Sequence, residues 1–340
     1  MKAAPVLRAL SERSGIRQAL VHTGQHYDAN MSDVFFTQLQ IPAPDINLEV
    51  GSGTHAQQTA EIISRFEPVL LQCKPDVVVV YGDVNSTLAA ALVCAKLQIP
   101  VAHVEAGLRS FDRSMPEEIN RVVTDQLAEH LFTHCEDADC NLKQEGITHE
   151  KIHNVGNVII DSLIRFLPLA EQCKTNGFPK RYALVTLHRP SNVDDPCRLK
   201  MILECLIEIN RRIPVVFPVH PRTRRAIAAL ELDFNHFHLH DPLPYIEFLN
   251  LERRATLVIT DSGGIQEETT YLGVPCLTLR QNTERPITVT SGTNVLVGQD
   301  FPKIQHEISR ILQGERKQGS IPPLWDGHAG ERIAEVLHRI

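Results

Sequence analysis

The run DVVVVYGD at residues 76–83, followed by the apolar segment VNSTLAAALVCAKLQ and then by IPVAHVEAG at 99–107, restricts this chain more than any other feature. A short β-branched run bounded by turn residues suits a strand buried on both faces. A helix-length apolar segment between two such strands makes a βαβ unit with a parallel pair. Asp83 closes the first strand and Glu105 the second. Both carboxylates are therefore expected at the carboxyl ends of adjacent parallel strands, the edge at which open α/β sheets take their ligands.

The rest of the chain repeats the alternation. IRQALVHTG (16–24) reads as a strand ending in a glycine turn, DANMSDVFFTQL (28–39) as a helix, and 54–72 as a long helix. After Glu105, Ser114-Met115-Pro116-Glu117 fits a capping box with proline in the first turn, with Ile119, Val122, Val123 and Leu127 as the buried stripe and Glu117 and Arg121 sharing the other face. In the second half YALVTLHR, IPVVFPVHPR, FHLHDPL, ATLVITDSGG and VPCLTLR read as strands and 194–212 as a helix. Their strand ends carry His188, His220, Asp241 and Asp261. Regularity is lost between residues 162 and 181, so two doubly wound α/β domains are expected, facing one another across a shared cleft.

A chain of 340 residues accommodates two domains at roughly 150 residues each. With 43% hydrophobic and 22% charged residues it has an ordinary globular balance. The formal net charge of −7 argues against a nucleic-acid or anionic-membrane partner, while an anionic small molecule needs only a local convergence of basic groups. No run reaches the ~18 apolar residues of a bilayer span and the N-terminus lacks an apolar signal core, so the cytoplasm is the expected location. Eight cysteines without C-x-x-C spacing suggest reduced core thiols, and 16 histidines without H-E-x-x-H give only weak support for a metal.

Several residues invite a chemical reading beside a structural one. DSGGIQEE (261–268) is a strand-to-helix turn whose two glycines either admit a phosphate to a helix N-terminus or serve sterics alone. Glu268 either accepts ribose hydroxyls or balances the helix dipole. Arg280 and Arg285, with Arg189 and Arg121, could neutralise a diphosphate, though each singly suits a solvated surface. Asp83, Glu105 and Glu117 together suit general acid–base work on a carbon-bound proton. Taken singly, they suit a loop cap, a partner for Arg109 and a capping-box acid. His188 ends a strand before Arg189 and is either a catalytic group or a loop histidine.

GQHYDANMSDVFF, VVYGDVNSTLA, HVEAGLR, PEEINR, LVTLHRPSN, DSGGIQEE and TERP, in this order and spacing, closely resemble the non-hydrolysing UDP-N-acetylglucosamine 2-epimerases over essentially the whole chain. The resemblance implies a GT-B fold: a Rossmann-like domain over 1–165 bearing the acids, a second over 178–325 holding UDP, and a helix over 326–340 returning to the first. It implies inversion at C2 of a UDP-linked amino sugar, interconverting UDP-GlcNAc and UDP-ManNAc without NAD, metal or other cofactor. UDP leaves to give a 2-acetamidoglucal, which is reprotonated from the other face before UDP returns. Asp83, Glu105, Glu117, Arg121 and His188 carry the implied catalytic roles, and Lys2, Arg189, Leu243, Phe248, Ser262, Gly263, Gly264, Glu268 and Arg285 the UDP contacts. Gln25, His26 and His220 are candidates for a second or regulatory site. A homodimer with no nucleic-acid or membrane partner is implied as well.

Two features depart from the family pattern. The match runs from Lys2 onward, so the first strand of the N-terminal domain, its phosphate-facing turn and that turn's arginine are expected to be missing from a central place in the sheet. GQHYD carries Tyr27 and Asp28 where substrate-regulated bacterial members carry arginine and glutamine. That stretch and GLRSFDRSMPEEINR look closer to the subgroup acting on UDP-2,3-diacetamido-2,3-dideoxy-glucuronate. A hydrolysing epimerase, a GT-B glycosyltransferase and a non-catalytic UDP-binding remnant are the competing readings.

Overall fold

In the computed structural model, residues 1–24, 41–173, 177–219, 221–230 and 237–340 are described. The expected helix over 28–39 and the candidates Gln25, His26 and His220 lie outside them. The chain divides into two compact units, one made of Met1–Ser162 with Pro323–Ile340 and the other of Leu163–Pro322.

The described residues of unit 1 contain six short strands, β1 (Val21–His22), β2 (Ile46–Asn47), β3 (Val78–Tyr81), β4 (Val101–Val104), β5 (His130–Thr133) and β6 (Ile152–Asn154). All pairings among them are parallel, but they form two pieces, β1-β2 and β3-β4-β5-β6. Among the described residues no ladder joins β1 to β3. Side chains connect the pieces instead: Val21, Ile46 and Leu48 pack in one apolar cluster with Ile62, Phe66 and Val80, and the Thr23 and Ser86 hydroxyls lie 2.8 Å apart. Among the described residues β3 pairs only with β4, and three of its four residues are half-buried; Val78 and Val80 pack in one apolar cluster and Val79 and Tyr81 in another, so both faces of β3 are covered, though less fully than those of β4. The expected strand over 16–24 contracts to the two residues of β1.

The helix His55–Cys73 begins on a capping box, with Thr54 Oγ1 accepting from Gln57 N and the Gln57 amide oxygen accepting from Thr54 N. The last segment closes unit 1. Helix Ala329–Leu337 packs Ala329, Ile333, Ala334 and Leu337 against Val6, Ala9 and Leu10 of helix Ala3–Ser11, and Asp161 accepts the N–H groups of Ala329 and Gly330. Trp325 is buried and donates to the His134 carbonyl at 2.9 Å. Gly156, at φ 85°, leaves no room for a side chain against Leu324.

The described residues of unit 2 form one six-stranded parallel sheet of β7 (Ala183–Thr186), β8 (Val215–Pro218), β9 (His238–His240), β10 (Leu257–Thr260), β11 (Cys276–Thr278) and β12 (Asn294–Leu296), flanked by helices. Its order, β9-β8-β7-β10-β11-β12, reverses between β7 and β10, which makes that pair the topological switch point. β12 follows no strand expected from the sequence. Among the described residues no helix is long and apolar enough to cross a membrane. None of the eight cysteines is in a disulfide, but only Cys94, Cys135, Cys205 and Cys276 are buried; Cys73, Cys140 and Cys197 are exposed, so the expectation of core thiols fails for these three.

Candidate active site

In unit 1 the site is built at the carboxyl ends of β3 and β4. Their register pairs Tyr81 with Val104, and Gly82 donates to the Val104 carbonyl at 3.0 Å, which sets Asp83 and Glu105 on neighbouring turns. Glu105 adopts φ 74°, a left-handed conformation that costs a non-glycine residue about 1–3 kcal/mol. Its N–H and that of Ala106 both donate to Phe132 O, so β5 holds the turn in place. The Glu105 carboxylate pairs with Lys2 Nζ and is only 8% exposed. Gly82 sits at φ 67°, a conformation that strains any side-chain-bearing residue, and an added Cβ would also crowd the Lys2 ammonium.

Helix Pro116–Leu127 supplies the other half, on a face different from the expected one. Its buried residues are Glu118, Asn120, Arg121, Thr124 and Asp125, whereas Ile119 is exposed and Val122, Val123 and Leu127 are half-buried. Arg121 is fully buried, pairs with Asp83 through Nη2, and reaches Glu118 Oε2 at 2.7 Å through Nη1. Glu118 in turn accepts the N–H groups of Ser110 and Phe111, each at 2.9 Å. Asn120 donates to the Asp83 carbonyl. The helix thus turns a polar face inward because the charges it must hold lie at the sheet end. Met115, not Ser114, is its N-cap; the Ser114 hydroxyl donates to Asp112 at 2.6 Å, so the expected capping box is absent. Glu117 is half-buried in the first turn. Nor does Glu105 pair with Arg109, which is held by Asp125 and Glu145.

Unit 2 carries a second polar assembly at its switch point. Asp261 follows β10, is fully buried, and accepts from the N–H groups of His188 and Arg189, from Asn192 Nδ2 and from His188 Nδ1 at 2.9 Å. Burial pushes its carboxyl up, but His188 and the backbone and amide donors outweigh that and hold it below its ordinary value of 3.8. A depressed carboxyl contributes stability that is fully present above the unfolded value and is lost as pH falls through the folded one. Unit 2 is therefore expected to lose stability below about pH 4. In the Asp261→Asn variant the slope of stability against pH in that range, followed by circular dichroism at graded pH, should be smaller. An unchanged slope would mean that Asp261 is not the titrating group.

Ser262 begins helix Gly263–Leu272 without a side-chain cap, so the first-turn N–H groups of Gly263 and Gly264 are presented with the positive end of the helix dipole. A Cβ on Gly263 would collide with the Arg285 guanidinium. Glu284 gathers three arginines: Arg285, Arg280 at 2.6 Å and Arg189 at 3.6 Å. Despite burial, those cations hold its carboxyl far below the usual range. Arg285 also meets Glu267 at 3.1 Å. Deeper along the helix, burial pushes the Glu268 carboxyl up to about 7, and the Tyr245 hydroxyl donates to it at 2.7 Å. Leu243 and Phe248 are half-buried beside the apolar cluster of Tyr182, Leu184, Leu251 and Val258.

The structure therefore brings Asp83, Glu105, Arg121 and Lys2 together in unit 1, with Glu117 one turn away from Arg121. It brings His188, Arg189, Ser262, Gly263, Gly264 and Arg285 together in unit 2, with Glu268 four residues further along the same helix as Gly264. Lys2, expected among the UDP contacts, sits on Glu105. Glu118, Glu284, His103 and Asp125 were not singled out from the sequence; each sits inside or beside a motif, but only the contacts separate it from its charged neighbours.

Two parallel α/β units of this kind, one ending in carboxylates and the other in a glycine turn ringed by arginines, define a protein of the two-Rossmann, GT-B class. The UDP-N-acetylglucosamine 2-epimerase family profile matches residues 8–338. The chain is 46% identical to UDP-N-acetylglucosamine 2-epimerase of Methanocaldococcus jannaschii over 99% of its own length and 95% of that protein. It is also 46% identical to UDP-2,3-diacetamido-2,3-dideoxy-D-glucuronate 2-epimerase of Pseudomonas aeruginosa, over 100% of its own length and 96% of that protein. The crystal structure of the M. jannaschii enzyme in complex with UDP-GlcNAc and UDP superposes with a TM-score of 0.93, covering 100% of this chain and 96% of that one. The chain belongs to the UDP-N-acetylglucosamine 2-epimerase family.

Proposed function

We propose that the chain interconverts UDP-N-acetylglucosamine and UDP-N-acetylmannosamine without hydrolysis. The observation that carries this reading is the pair Asp83 and Glu105 on adjacent strand ends, one ion-paired to Arg121 and the other held in a strained backbone beside Lys2. One carboxylate removes the C2 proton; the electron pair left behind forms the C1=C2 bond as the bond from C1 to the UDP oxygen breaks. A protonated acid then returns a proton to C2 from the opposite face, and the UDP oxygen adds back to C1. Glu117 and His188 complete the proposed catalytic set.

In unit 2 the first-turn amides of Gly263 and Gly264 with Arg285 and Arg189 suit the diphosphate, whose charge grows as it leaves. Glu268 suits the ribose hydroxyls, with Ser262, Leu243 and Phe248 alongside. In deuterated water the mannose-configured product formed from UDP-N-acetylglucosamine should carry deuterium at C2 by proton NMR. Epimerisation with full retention of the original proton would rule out elimination.

A second reading, epimerisation of UDP-2,3-diacetamido-2,3-dideoxy-glucuronate, rests on the identity to the P. aeruginosa enzyme, which equals that to the M. jannaschii enzyme. Relative kcat/KM for the two substrates decides between them.

A further inference from the structure

Asp83 and Glu105 stand on different strands, yet one buried pair of side chains reaches both strand ends. His103, fully buried on β4, contacts the Gly82 carbonyl at 2.7 Å through Nε2 and Asp125 Oδ1 at 2.6 Å through Nδ1. Asp125 Oδ2 accepts the Gly107 N–H at 3.1 Å and pairs with Arg109 Nη1 at 2.7 Å. Since a carbonyl only accepts, Nε2 carries a hydrogen. Gly82 lies one residue before Asp83 and Gly107 two residues after Glu105. Both glycines have positive φ, 67° and 78°, a region glycine enters without steric cost, whereas Glu105 between them in the fold is a non-glycine held at φ 74°. The far side of Gly107 is equally constrained: Asn141 Nδ2 donates to its carbonyl, and a Cβ would come within 2.5 Å of the Ala138 carbonyl. Burial pushes the Asp125 carboxyl up, but His103 and Arg109 outweigh it and keep the group below its usual range. Arg109 is anchored by Glu145 at 2.7 and 2.6 Å.

We propose that His103 and Asp125 act as one positioning pair that fixes the two acid-bearing turns relative to each other without touching substrate. The imidazole is rigid and presents its two nitrogens to partners on β3's turn and on helix Pro116–Leu127, so one ring sets both distances. The kinetic consequence rests on the epimerase reading; the structural one does not.

The test uses the full chain and three variants. In His103→Gln a flexible amide cannot hold Gly82 and Asp125 together at the ring's separation. Asp125→Ala removes the anchor of Gly107. Asp125→Asn keeps it, because the amide oxygen still accepts the Gly107 N–H and faces Arg109 while the amide nitrogen donates to His103 Nδ1. Hydrogen exchange read by mass spectrometry should show 81–84 and 104–108 losing protection together in His103→Gln and Asp125→Ala, with unit 2 unchanged. In both variants kcat should fall about 30- to 100-fold, the scale of a roughly 1 Å misplacement, with KM and UDP affinity within about threefold of the parent. Asp125→Asn should recover most of that loss.

The proposal is overturned if only one strand end loses protection, if kcat and protection stay at parental levels, if Asp125→Asn is as impaired as Asp125→Ala, or if His103→Gln simply unfolds while Asp125→Ala is active. Inactivity of the parent on UDP-sugars would count against the proposed function alone, and the exchange comparison would still decide the pairing.

Discussion

Replacing Glu105 by glutamine is expected to slow turnover by roughly a hundredfold or more, the usual scale for a positioned acid or base. The amide preserves shape and a hydrogen-bonding oxygen for Lys2, and the φ 74° backbone is held by β5 and not by the carboxylate, so the fold should persist. What disappears is the capacity to take or give a proton. Asp83→Asn and Glu117→Gln belong in the same series. Formation of the epimer measures turnover, calorimetry measures UDP affinity, and circular dichroism measures the fold. If the three variants melt well below the parent and lose UDP affinity in step with activity, these carboxylates are structural and the reading of the site is wrong.

Arg121→Leu should cost about 3–5 kcal/mol of stability, the penalty for leaving buried charge without its partner. The Arg121 side chain is 2% exposed and stands between Asp83 and Glu118, whose side chains are 21% and 3% exposed. Glu118 would retain the Ser110 and Phe111 N–H groups, but Asp83 would lose its cation. Urea denaturation gives the difference directly, and adding Glu118→Gln should recover part of it by removing one of the stranded charges. A loss under about 1 kcal/mol would place the pair among weak surface contacts.

The alternation of strand and helix was legible because β-branched runs such as 77–80 and apolar helical segments such as 86–97 carry their periodicity locally. Asp83, Glu105, His188 and Asp261 were legible for the same reason, since each ends such a run. Helix Pro116–Leu127 departs from its apolar pattern because the fixed charges at the sheet end favour Glu118, Arg121 and Asp125 on the buried face, which the spacing of Ile119, Val122, Val123 and Leu127 does not reveal. Likewise Ser114-x-x-Glu117 and Thr54-x-x-Gln57 are equivalent as patterns, yet only the second makes a capping box, because Asp112 captures the Ser114 hydroxyl. Nothing local distinguishes Glu284 from the other acids near it; its three arginines come from two separate loops.

The return of residues 323–340 to unit 1 has a kinetic consequence. The bond between Asp161 and Ala329 spans 168 residues of chain, and that between Trp325 and His134 spans 191. Closing an open loop of that length costs about 4–5 kcal/mol of chain entropy on a (3/2)RT ln n scaling, before any contact at the junction compensates it. Unit 2 is contiguous and needs no such closure. If it folds first, the freely jointed span between the two ends of unit 1 shrinks to a compact body and most of that cost disappears. The expected order of assembly is then inner unit first, with the seating of the single tryptophan, Trp325, as a late event that fluorescence during refolding should report.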